Sequence, residues 1–404
     1  MFDTTDHGLL SEFLLLLSMH ASVRFWRQCY YGTTPLIGCL RRFVTIMRVA
    51  INTAIALAVA AGLLFSQNDS KQTEQKGFGR AKAPERPGSM DKIVVHGASL
   101  EGNLEGDSPD RDVIVYTPPS YGKERNRRYP VLYFLHGYGA HAELYTNAMW
   151  ASDGADKTAA SGASKEMIIV FPDAFTKYDG AMYSNSPTTG DWETFITKDL
   201  VNYIDSHYRT IPTRESRGLA GHSMGGYGAW RIGMKHPEVY TAIYPMSSCC
   251  LMTNPFTAPP RPPAAPPRDD AKAKGGGFAK VGSAQAAAWA PNPMNPPDFF
   301  DLPTKDGKVV PEIAAKYLAN APLAMVDQYV SPLKSFRAIM MDCGTKDTLF
   351  GSNNELDQSL TRLGVKHVYE TYDGDHTNRL KERWEEHVMP FFGNSLSFSV
   401  KGSK

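Results

Sequence analysis

A serine near the middle of the chain stands in a sequence that could supply a nucleophile. The segment G-H-S-M-G at 221–225 has the form G-x-S-x-G, with a short apolar run before it and a helical pattern over 226–236. A strand, a tight turn and a helix are the context in which this motif presents a serine hydroxyl at the edge of a sheet. The alternative is a glycine-rich turn with an incidental serine. We predict that Ser223 is a catalytic nucleophile.

The base that such a serine needs can be sought among the late histidines. A serine hydroxyl requires a base within hydrogen-bond reach and an acid that orients the base, and both follow the serine in chains with this motif. His376 lies in the polar turn Y-D-G-D-H at 372–376, directly after the last predicted strand. His367 begins that strand, and His387 lies within the final predicted helix. We therefore predict that His376 is the base.

Two aspartates compete for the role of the acid. Asp347 lies in the loop C-G-T-K-D-T-L-F at 343–350, whereas Asp342 is still on the preceding predicted strand. The acid belongs in a loop beyond its strand, so we predict Asp347 and expect Asp342 to brace the turn. Asp373 and Asp375 flank the histidine too closely for this role and fit turn or supporting positions.

Two backbone amides are candidates for an oxyanion hole, which stabilises the negative oxygen of a tetrahedral intermediate. One is the N–H of Met224, the residue after the nucleophile. The other is the N–H of Tyr138 in the H-G-Y-G loop at 136–139, with a plain strand-ending turn as the alternative. We expect His136 to be a structural brace, because it precedes the serine. We also predict that Tyr138 and Trp192 bind substrate, from a set of aromatic candidates that further contains Tyr145, Trp150 and Tyr183.

The elements that must position these residues alternate between strand and helix. Predicted strands cover 92–100, 112–116, 131–135, 167–171, 217–221, 241–246, 336–341 and 367–372, and predicted helices cover 194–208, 226–236, 311–320 and 381–392. Such alternation predicts an α/β fold with a mostly parallel sheet and helices on both faces. About eight strands with the serine turn near the middle indicate an α/β-hydrolase fold.

One segment, 253–308, interrupts the alternation with an excess of Pro, Ala and Gly. Long irregular stretches inside a domain are usually functional or disordered. Because this one follows the strand after the serine helix, we predict a partly disordered insertion that leads into a cap near the active site. An inert surface insertion is the alternative.

The amino terminus differs from the rest of the chain. Arginines precede an apolar run at 49–65, and polar residues follow it, a pattern typical of a signal peptide. We expect an upstream extension at 1–46, a signal peptide or membrane anchor at 47–66, and a flexible linker at 67–90. A catalytic domain at 91–393 and a tail at 394–404 complete the predicted organisation. The expected location is secreted or periplasmic, with membrane anchoring as the alternative.

Composition narrows the classes of partner. The 404 residues are 42% hydrophobic and 21% charged, and the formal net charge is +1. Globular proteins have such a composition, and it points to no nucleic-acid partner. There is no C-x-x-C motif or histidine cluster, so we predict no metal site. The pairing of Cys249, Cys250 and Cys343 and the oligomeric state are left open.

Four of these motifs together resemble the esterase family that contains esterase D, S-formylglutathione hydrolases, feruloyl and other carbohydrate esterases, enterochelin esterases and mycolyltransferases. They are Y-P-V-L-Y-F-L-H-G at 129–137, G-H-S-M-G-G at 221–226, G-x-x-D at 344–347 and D-H at 375–376. The resemblance covers about 92–392. It implies cofactor-free ester hydrolysis through an acyl-enzyme, with Ser223, Asp347 and His376 as the triad.

The resemblance leaves the substrate open. The loop after 136–137 reads Y-G-A rather than the L-T-C type of S-formylglutathione hydrolases, and the 253–308 insertion has no counterpart in them. We therefore expect a feruloyl, acetyl or related ester, as a small molecule or linked to a polysaccharide. The alternatives are an S-formylglutathione hydrolase-like thioesterase, an acyltransferase on the same triad, and a non-catalytic binding protein.

Overall fold

Continuous apolar runs form the central strands of the structure. The computed structural model describes residues 87–252 and 280–399, and in it all five residues of the strand Val131–Leu135 are buried. Ile168–Pro172 and Ala242–Met246 are buried along their whole length in the same way. Strands of this kind are covered on both faces, so helices must pack on both sides of the sheet.

The main sheet has eight strands. In chain order they are β1 Ser89–His96, β2 Asp110–Thr117, β3 Val131–Leu135, β4 Ile168–Pro172, β5 Arg217–His222, β6 Ala242–Met246, β7 Ala338–Gly344 and β8 Val368–Tyr372. Their spatial order is β1-β2-β4-β3-β5-β6-β7-β8. The pairs β1–β2 and β2–β4 are antiparallel, and every other neighbouring pair is parallel. This confirms the predicted mostly parallel sheet of about eight strands.

Helices connect most of these strands. They are α1 Ala142–Ala148, α2 Ala151–Ser161, α3 over 192–207, α4 Met224–Lys235, α5 Val281–Trp289, α6 Pro311–Ala319, α7 Pro322–Met325, α8 Val330–Lys334, α9 Phe350–Arg362 and α10 over 380–395. A π-helical segment lies within α3 at Phe195–Asp199 and within α10 at Trp384–Val388. One-turn 3₁₀ helices occur at Ala98–Leu100, Arg214–Ser216 and Val326–Gln328. Two-residue strands pair outside the main sheet, Asn185–Ser186 with Gly190–Asp191 and Thr304–Lys305 with Lys308–Val309.

Two hydrophobic layers cover the sheet. Side chains alternate along β3, with Val131, Tyr133 and Leu135 in one layer and Leu132 and Phe134 in the other. The first layer also holds residues of α3, α4, α5 and α9, and the second holds residues of α1, α2 and α10. The α/β class with helices on both faces is thus confirmed.

Several sequence predictions fall wholly or mainly on residues outside the described ranges. These are the extension at 1–46, the signal peptide or anchor at 47–66, the linker at 67–90, the insertion as far as 279, and the tail from 400. One other prediction needs correction, and one helix was not predicted. The first strand ends at His96 and is followed by a 3₁₀ turn rather than continuing to Leu100. The described end of the insertion, 280–308, contains the helix α5, whose buried alanines gave no periodic apolar signal.

A buried carboxylate joins the helices that flank the serine turn. Glu193, at the start of α3, is 0% exposed and lies 2.8 Å from Arg231 Nε and 2.6 Å from Lys235 Nζ, both on α4. Burial acts to raise the pKa of Glu193, but His236, Arg231 and Lys235 together outweigh burial and hold this pKa well below its usual range. The ionised carboxylate therefore links α3 to α4.

Substituting this carboxylate tests the link. We expect Glu193→Gln to lower the free energy of unfolding at pH 7 by about 3 kcal/mol, because it leaves the buried Arg231 and the half-buried Lys235 without their counter-charge. A depressed folded pKa stabilises the fold above the unfolded pKa of about 4.3, and this contribution is lost as pH falls below it. The difference from the parent, measured by urea unfolding, should therefore be smaller at pH 3 than at pH 7.

The exposed Glu238 provides the matched control, because its side chain is 68% exposed and lies 3.5 Å from His236 Nδ1. Glu238→Gln should change the unfolding free energy by less than about 0.5 kcal/mol at either pH. A Glu193→Gln deficit of the same size at pH 3 and pH 7 would contradict the assignment of an ionised, stabilising carboxylate.

Candidate active site

The predicted nucleophile lies at a strained turn between β5 and α4. Ser223 has φ 58° and ψ −113°, a region that non-glycine residues rarely adopt. Backbone hydrogen bonds hold it there: its N–H donates to Met246 O over 2.9 Å, and its carbonyl accepts from Tyr227 N over 3.0 Å and Cys249 N over 3.1 Å. The end of β6 and the first turn of α4 thus fix the position of the serine.

The two glycines of the serine motif are required by close backbone approach. A Cβ at Gly225 would overlap the carbonyl of Leu135 at the end of β3, and a Cβ at Gly221 would overlap the carbonyl of Gly225. Neither neighbouring atom can move away, because both belong to the backbone. The G-x-S-x-G spacing therefore reflects how tightly α4 begins against β5 and β3.

The structure brings the predicted acid and base together. Asp347 Oδ2 lies 2.7 Å from His376 Nδ1, the aspartate side chain is 0% exposed and the histidine side chain is 32% exposed. Asp347 Oδ1 also accepts a hydrogen bond of 2.9 Å from Leu349 N–H. Burial acts to raise the pKa of Asp347, but the hydrogen bonds from His376 and Leu349 outweigh burial and lower it. This aspartate is therefore an ionised hydrogen-bond acceptor.

The other acid and base candidates are engaged elsewhere. Asp342 is buried on β7, where its Oδ2 accepts from Arg383 Nε over 2.8 Å and from the Tyr244 hydroxyl over 2.7 Å. His367 Nε2 lies 2.9 Å from Asp357, and His387 Nδ1 lies 2.7 Å from Glu370. The structure thus places Asp342 in a buried bracing contact, as its position on the strand predicted.

The loop after β3 packs directly on the serine. A Cβ at Gly137 would lie 3.3 Å from Ser223 Cβ and would overlap the hydroxyl of Tyr145. The next residues are tied down as well, since the Tyr138 hydroxyl donates to Tyr178 O over 3.0 Å and Gly139 N–H donates to Asp179 O over 2.9 Å. The loop that carries the Tyr138 amide therefore lies next to Ser223.

Met224 and His136 are the other predicted residues of this region. Met224 is the first residue of α4, so the helix makes no use of its N–H. His136 is buried, its Nε2 accepts from Ala174 N–H over 2.8 Å and its Nδ1 donates to Gly137 O over 2.8 Å. His136 therefore braces the loop after β3 against the loop after β4.

The structure does not bring Trp192 to this site. Its side chain is 1% exposed, its indole N–H donates to Thr189 O over 2.9 Å, and its ring packs 5.5 Å from that of Phe195. This core position does not support the predicted substrate contact. Tyr183 is 0% exposed, and Trp150 is 59% exposed beside a separate cavity along β1 and β2.

A second cavity, which the sequence did not predict, lies beside the acid loop. Its volume is about 320 Å³, and its described lining consists of Cys250, Met252, Gly282, Gln285, Trp289, Leu302, Pro303, Thr304, Tyr317, Ala321, Leu349 and Ser352. Trp289 of α5 packs 5.3 Å from the ring of Tyr317 and 5.4 Å from that of Tyr227, one turn beyond the serine. We call this the cap cavity. The alanine run at 286–288 followed by Trp289 was the signal that could have indicated it.

The cysteines of the described ranges are not paired with one another. Cys249, Cys250 and Cys343 are free thiols there. Across 87–252 and 280–399, no group of three or more His, Cys, Asp or Glu is placed to hold a metal ion. No helix within those same ranges is long and apolar enough to cross a membrane.

The strand order, the serine turn after β5, and the acid and histidine loops after β7 and β8 define an α/β-hydrolase fold. The family model described as "Putative esterase" matches residues 108–390. The chain therefore belongs to this esterase family, as the four sequence motifs indicated.

Individual proteins that are similar to this chain are also named as esterases. An esterase of Mycobacterium tuberculosis is 34% identical over 128 residues, which cover 31% of this chain and 26% of the relative. An endo-1,4-beta-xylanase/feruloyl esterase of Xylanibacter ruminicola is 30% identical over 129 residues, covering 31% of this chain and 18% of the relative. The chain thus spans about a quarter or less of these curated relatives. A solved ferulic acid esterase structure, 23% identical, covers 76% of this chain and 98% of its own with a TM-score of 0.56, which shows the shared fold.

Proposed function

We propose that this protein is a serine hydrolase that cleaves carboxylic esters through an acyl-enzyme intermediate on Ser223. The observation that carries the proposal is the hydrogen-bonded pair Asp347–His376, with 2.7 Å between Oδ2 and Nδ1. Asp347 follows β7 and His376 follows β8, while the strained serine follows β5 of the same sheet. Membership of the esterase family adds support.

The chemistry follows from the acid–base pair. Because the ionised Asp347 accepts from Nδ1 of His376, Nδ1 carries the proton and Nε2 is the free base. In the proposed reaction Nε2 removes the proton of Ser223 as its oxygen attacks the ester carbonyl. The same nitrogen then protonates the leaving alcohol, and a water molecule releases the acyl group in the reverse order. Asp347 stabilises the imidazolium that forms in each step.

The oxyanion hole in this proposal consists of the N–H groups of Met224 and Tyr138. Backbone N–H groups directed at the developing negative oxygen account for a large part of the rate acceleration in acyl transfer. The start of α4 supplies one donor and its positive dipole end, and the loop packed on Ser223 supplies the other. Neither acyl transfer step requires a cofactor.

The cap cavity supports an uncharged, aromatic or otherwise apolar ester group as the substrate. Its described lining includes Trp289 and Tyr317 but no Asp, Glu, Lys or Arg. It reaches the catalytic loops on two sides, because Leu349 binds Asp347 through its N–H and Cys250 follows a residue bonded to Ser223 O. Glutathione carries two carboxylates that call for cationic partners, so this lining favours a feruloyl-type or other carbohydrate ester over a formylglutathione thioester.

The nucleophile is tested by a single substitution. Ser223→Ala should reduce kcat for p-nitrophenyl acetate by about 10,000-fold or more, because the hydroxyl that forms the acyl-enzyme is removed. Labelling by a fluorophosphonate probe should disappear in the same variant. Ser206→Ala is the matched control, since that exposed hydroxyl hydrogen-bonds to Tyr203 O of its own helix and to the adjacent His207. Hydrolysis or labelling that persists in Ser223→Ala would refute the mechanism.

Filling the cap cavity tests the substrate class. Gly282 of α5 lines the cavity, and a Cβ at this position would meet no atom within 4 Å. Gly282→Leu should lower kcat/KM for methyl ferulate roughly 10- to 100-fold while changing that for p-nitrophenyl acetate less than about threefold. Gly351→Leu is the control, because this α9 glycine also has open space but does not line the cavity.

The same kinetic assays distinguish the alternative substrates and reactions. Equal losses for methyl ferulate and p-nitrophenyl acetate in Gly282→Leu would contradict the assignment of the cap cavity to the larger ester group. A higher kcat/KM of the parent for S-formylglutathione than for methyl ferulate would favour the thioesterase. A sugar or alcohol ester as the main product would favour an acyltransferase.

We also propose that residues 47–66 are a signal peptide that directs the catalytic domain, 91–393, out of the cytoplasm. Support comes from the arginines before the apolar run at 49–65 and the polar residues after it. Amino-terminal sequencing of the exported protein should begin near residues 61–70. An intact Met1 on protein recovered from the cytoplasm would contradict this proposal, and a retained apolar run on membrane-bound protein would favour an anchor.

A further inference from the structure

The residue before the nucleophile makes two hydrogen bonds that the proposed chemistry does not use. His222 is the last residue of β5 and is 1% exposed. Its Nδ1 lies 2.7 Å from the hydroxyl of Tyr145 on α1, and its Nε2 lies 2.7 Å from the backbone carbonyl of His376. Partners 77 and 154 residues away in the chain therefore meet at one imidazole.

The two partners determine the tautomer of His222. A carbonyl oxygen only accepts, so Nε2 must carry a hydrogen and donate to His376 O. In the neutral ring Nδ1 then accepts the proton of the Tyr145 hydroxyl. Burial, aided by the nearby His376, lowers the pKa of His222 to about 3. His222 is therefore a neutral donor at physiological pH and places no positive charge beside the base.

His376 is consequently held at two points. Asp347 binds its side chain through Nδ1, and His222 binds its main chain through the carbonyl. The two imidazole rings also pack with centroids 4.6 Å apart. Asp373 and Asp375 of the histidine loop are exposed, while Gly374 between them is buried and its carbonyl accepts from Lys346 N–H over 3.0 Å. The bond from His222 is the contact that ties this loop directly to the residue preceding Ser223.

Tyr145 extends the connection to the loop after β3 at 136–139, which we call the oxyanion loop. Its side chain is 8% exposed, and its hydroxyl lies against Gly137 where a Cβ would overlap it. Burial raises the pKa of Tyr145, and the amide of Gly137 offsets part of that rise. A protonated phenol thus lies between the loop after β3 and the imidazole of His222.

We propose that His222 and Tyr145 are positioning residues that hold the backbone of His376 at a fixed position relative to Ser223 and the oxyanion loop. The proposal rests on the proposed esterase function. Their hydrogen bonds go to each other and to the backbone carbonyl of His376, rather than to Nε2, the proposed base nitrogen. They act through the carbonyl of His376, which sets where its imidazole stands relative to the serine.

The test compares His222→Leu, His222→Gln and Tyr145→Phe. Leucine removes the donor to His376 O, and we expect kcat for p-nitrophenyl acetate to fall roughly 10- to 100-fold with KM within about twofold, because small misplacements of catalytic groups cost rate. The glutamine amide can still donate to that carbonyl, so His222→Gln should recover kcat to within about fivefold of the parent. Tyr145→Phe should lower kcat by about three- to tenfold, since it removes a single neutral hydrogen bond.

A readout independent of turnover distinguishes this proposal from the esterase proposal. The low-field proton NMR resonance of the Nδ1–H between His376 and Asp347 should be present in the parent and His222→Gln, and be lost or broadened in His222→Leu. If the parent shows this resonance but hydrolyses no ester, the proposed function fails while the positioning proposal stands. If the resonance is unchanged in a folded His222→Leu, the positioning proposal fails.

His367 provides the matched structural control. Its side chain is 6% exposed and both ring nitrogens are hydrogen-bonded, to Val365 O and to Asp357, away from the serine. His367→Leu should lower the melting temperature as much as His222→Leu does but leave kcat and the resonance unchanged. Equal losses of kcat in the two leucine variants, or no recovery in His222→Gln, would overturn the proposal. If His222→Leu does not fold, an unaltered kcat in Tyr145→Phe overturns it.

Discussion

The active site depends on how closely the first turn of α4 approaches the end of β3. The backbone of Gly225 meets the carbonyl of Leu135 where no Cβ could fit. This contact brings the nucleophile turn and the loop after β3 to the same place, so Gly137 lies on Ser223. A methyl group at 225 would have to separate β3 from α4, and with them the loop after β3 from the serine. The chemistry thus rests on the lack of a side chain at one position.

Two other titratable groups near the Asp347–His376 pair are engaged by partners of their own. Asp342 on β7 lies five positions before the acid in the chain but is occupied by Arg383 and Tyr244. Burial raises the pKa of Asp342, although Arg383 and Tyr244 oppose that rise. Asp347 is the carboxylate that binds His376. His222, although its ring is adjacent to that histidine, is buried as a neutral donor. Two groups that could have perturbed the base electrostatically are each held by other contacts.

What the sequence could predict was local. The G-x-S-x-G turn, the Asp347 loop and the Asp375–His376 turn each indicate their conformation within a few residues, and the alternation of apolar runs predicts the sheet. Long-range partnerships left no such signal. The hydroxyl of Tyr145 meets His222 across 77 positions, and α5 is an alanine-rich helix without apolar periodicity. Trp192 was proposed as a substrate contact from its residue type, but its neighbours Thr189 and Phe195 place it in the core.

The backbone of Ser223 has an evolutionary consequence. A non-glycine residue at φ 58° costs about 1–3 kcal/mol, which glycine would largely avoid. The variant that best suits the fold at this position is therefore one without a hydroxyl. Under the proposed mechanism, selection for the Ser223 hydroxyl must oppose its replacement by the less strained glycine, so a lineage that stopped using that mechanism would be expected to lose this serine early.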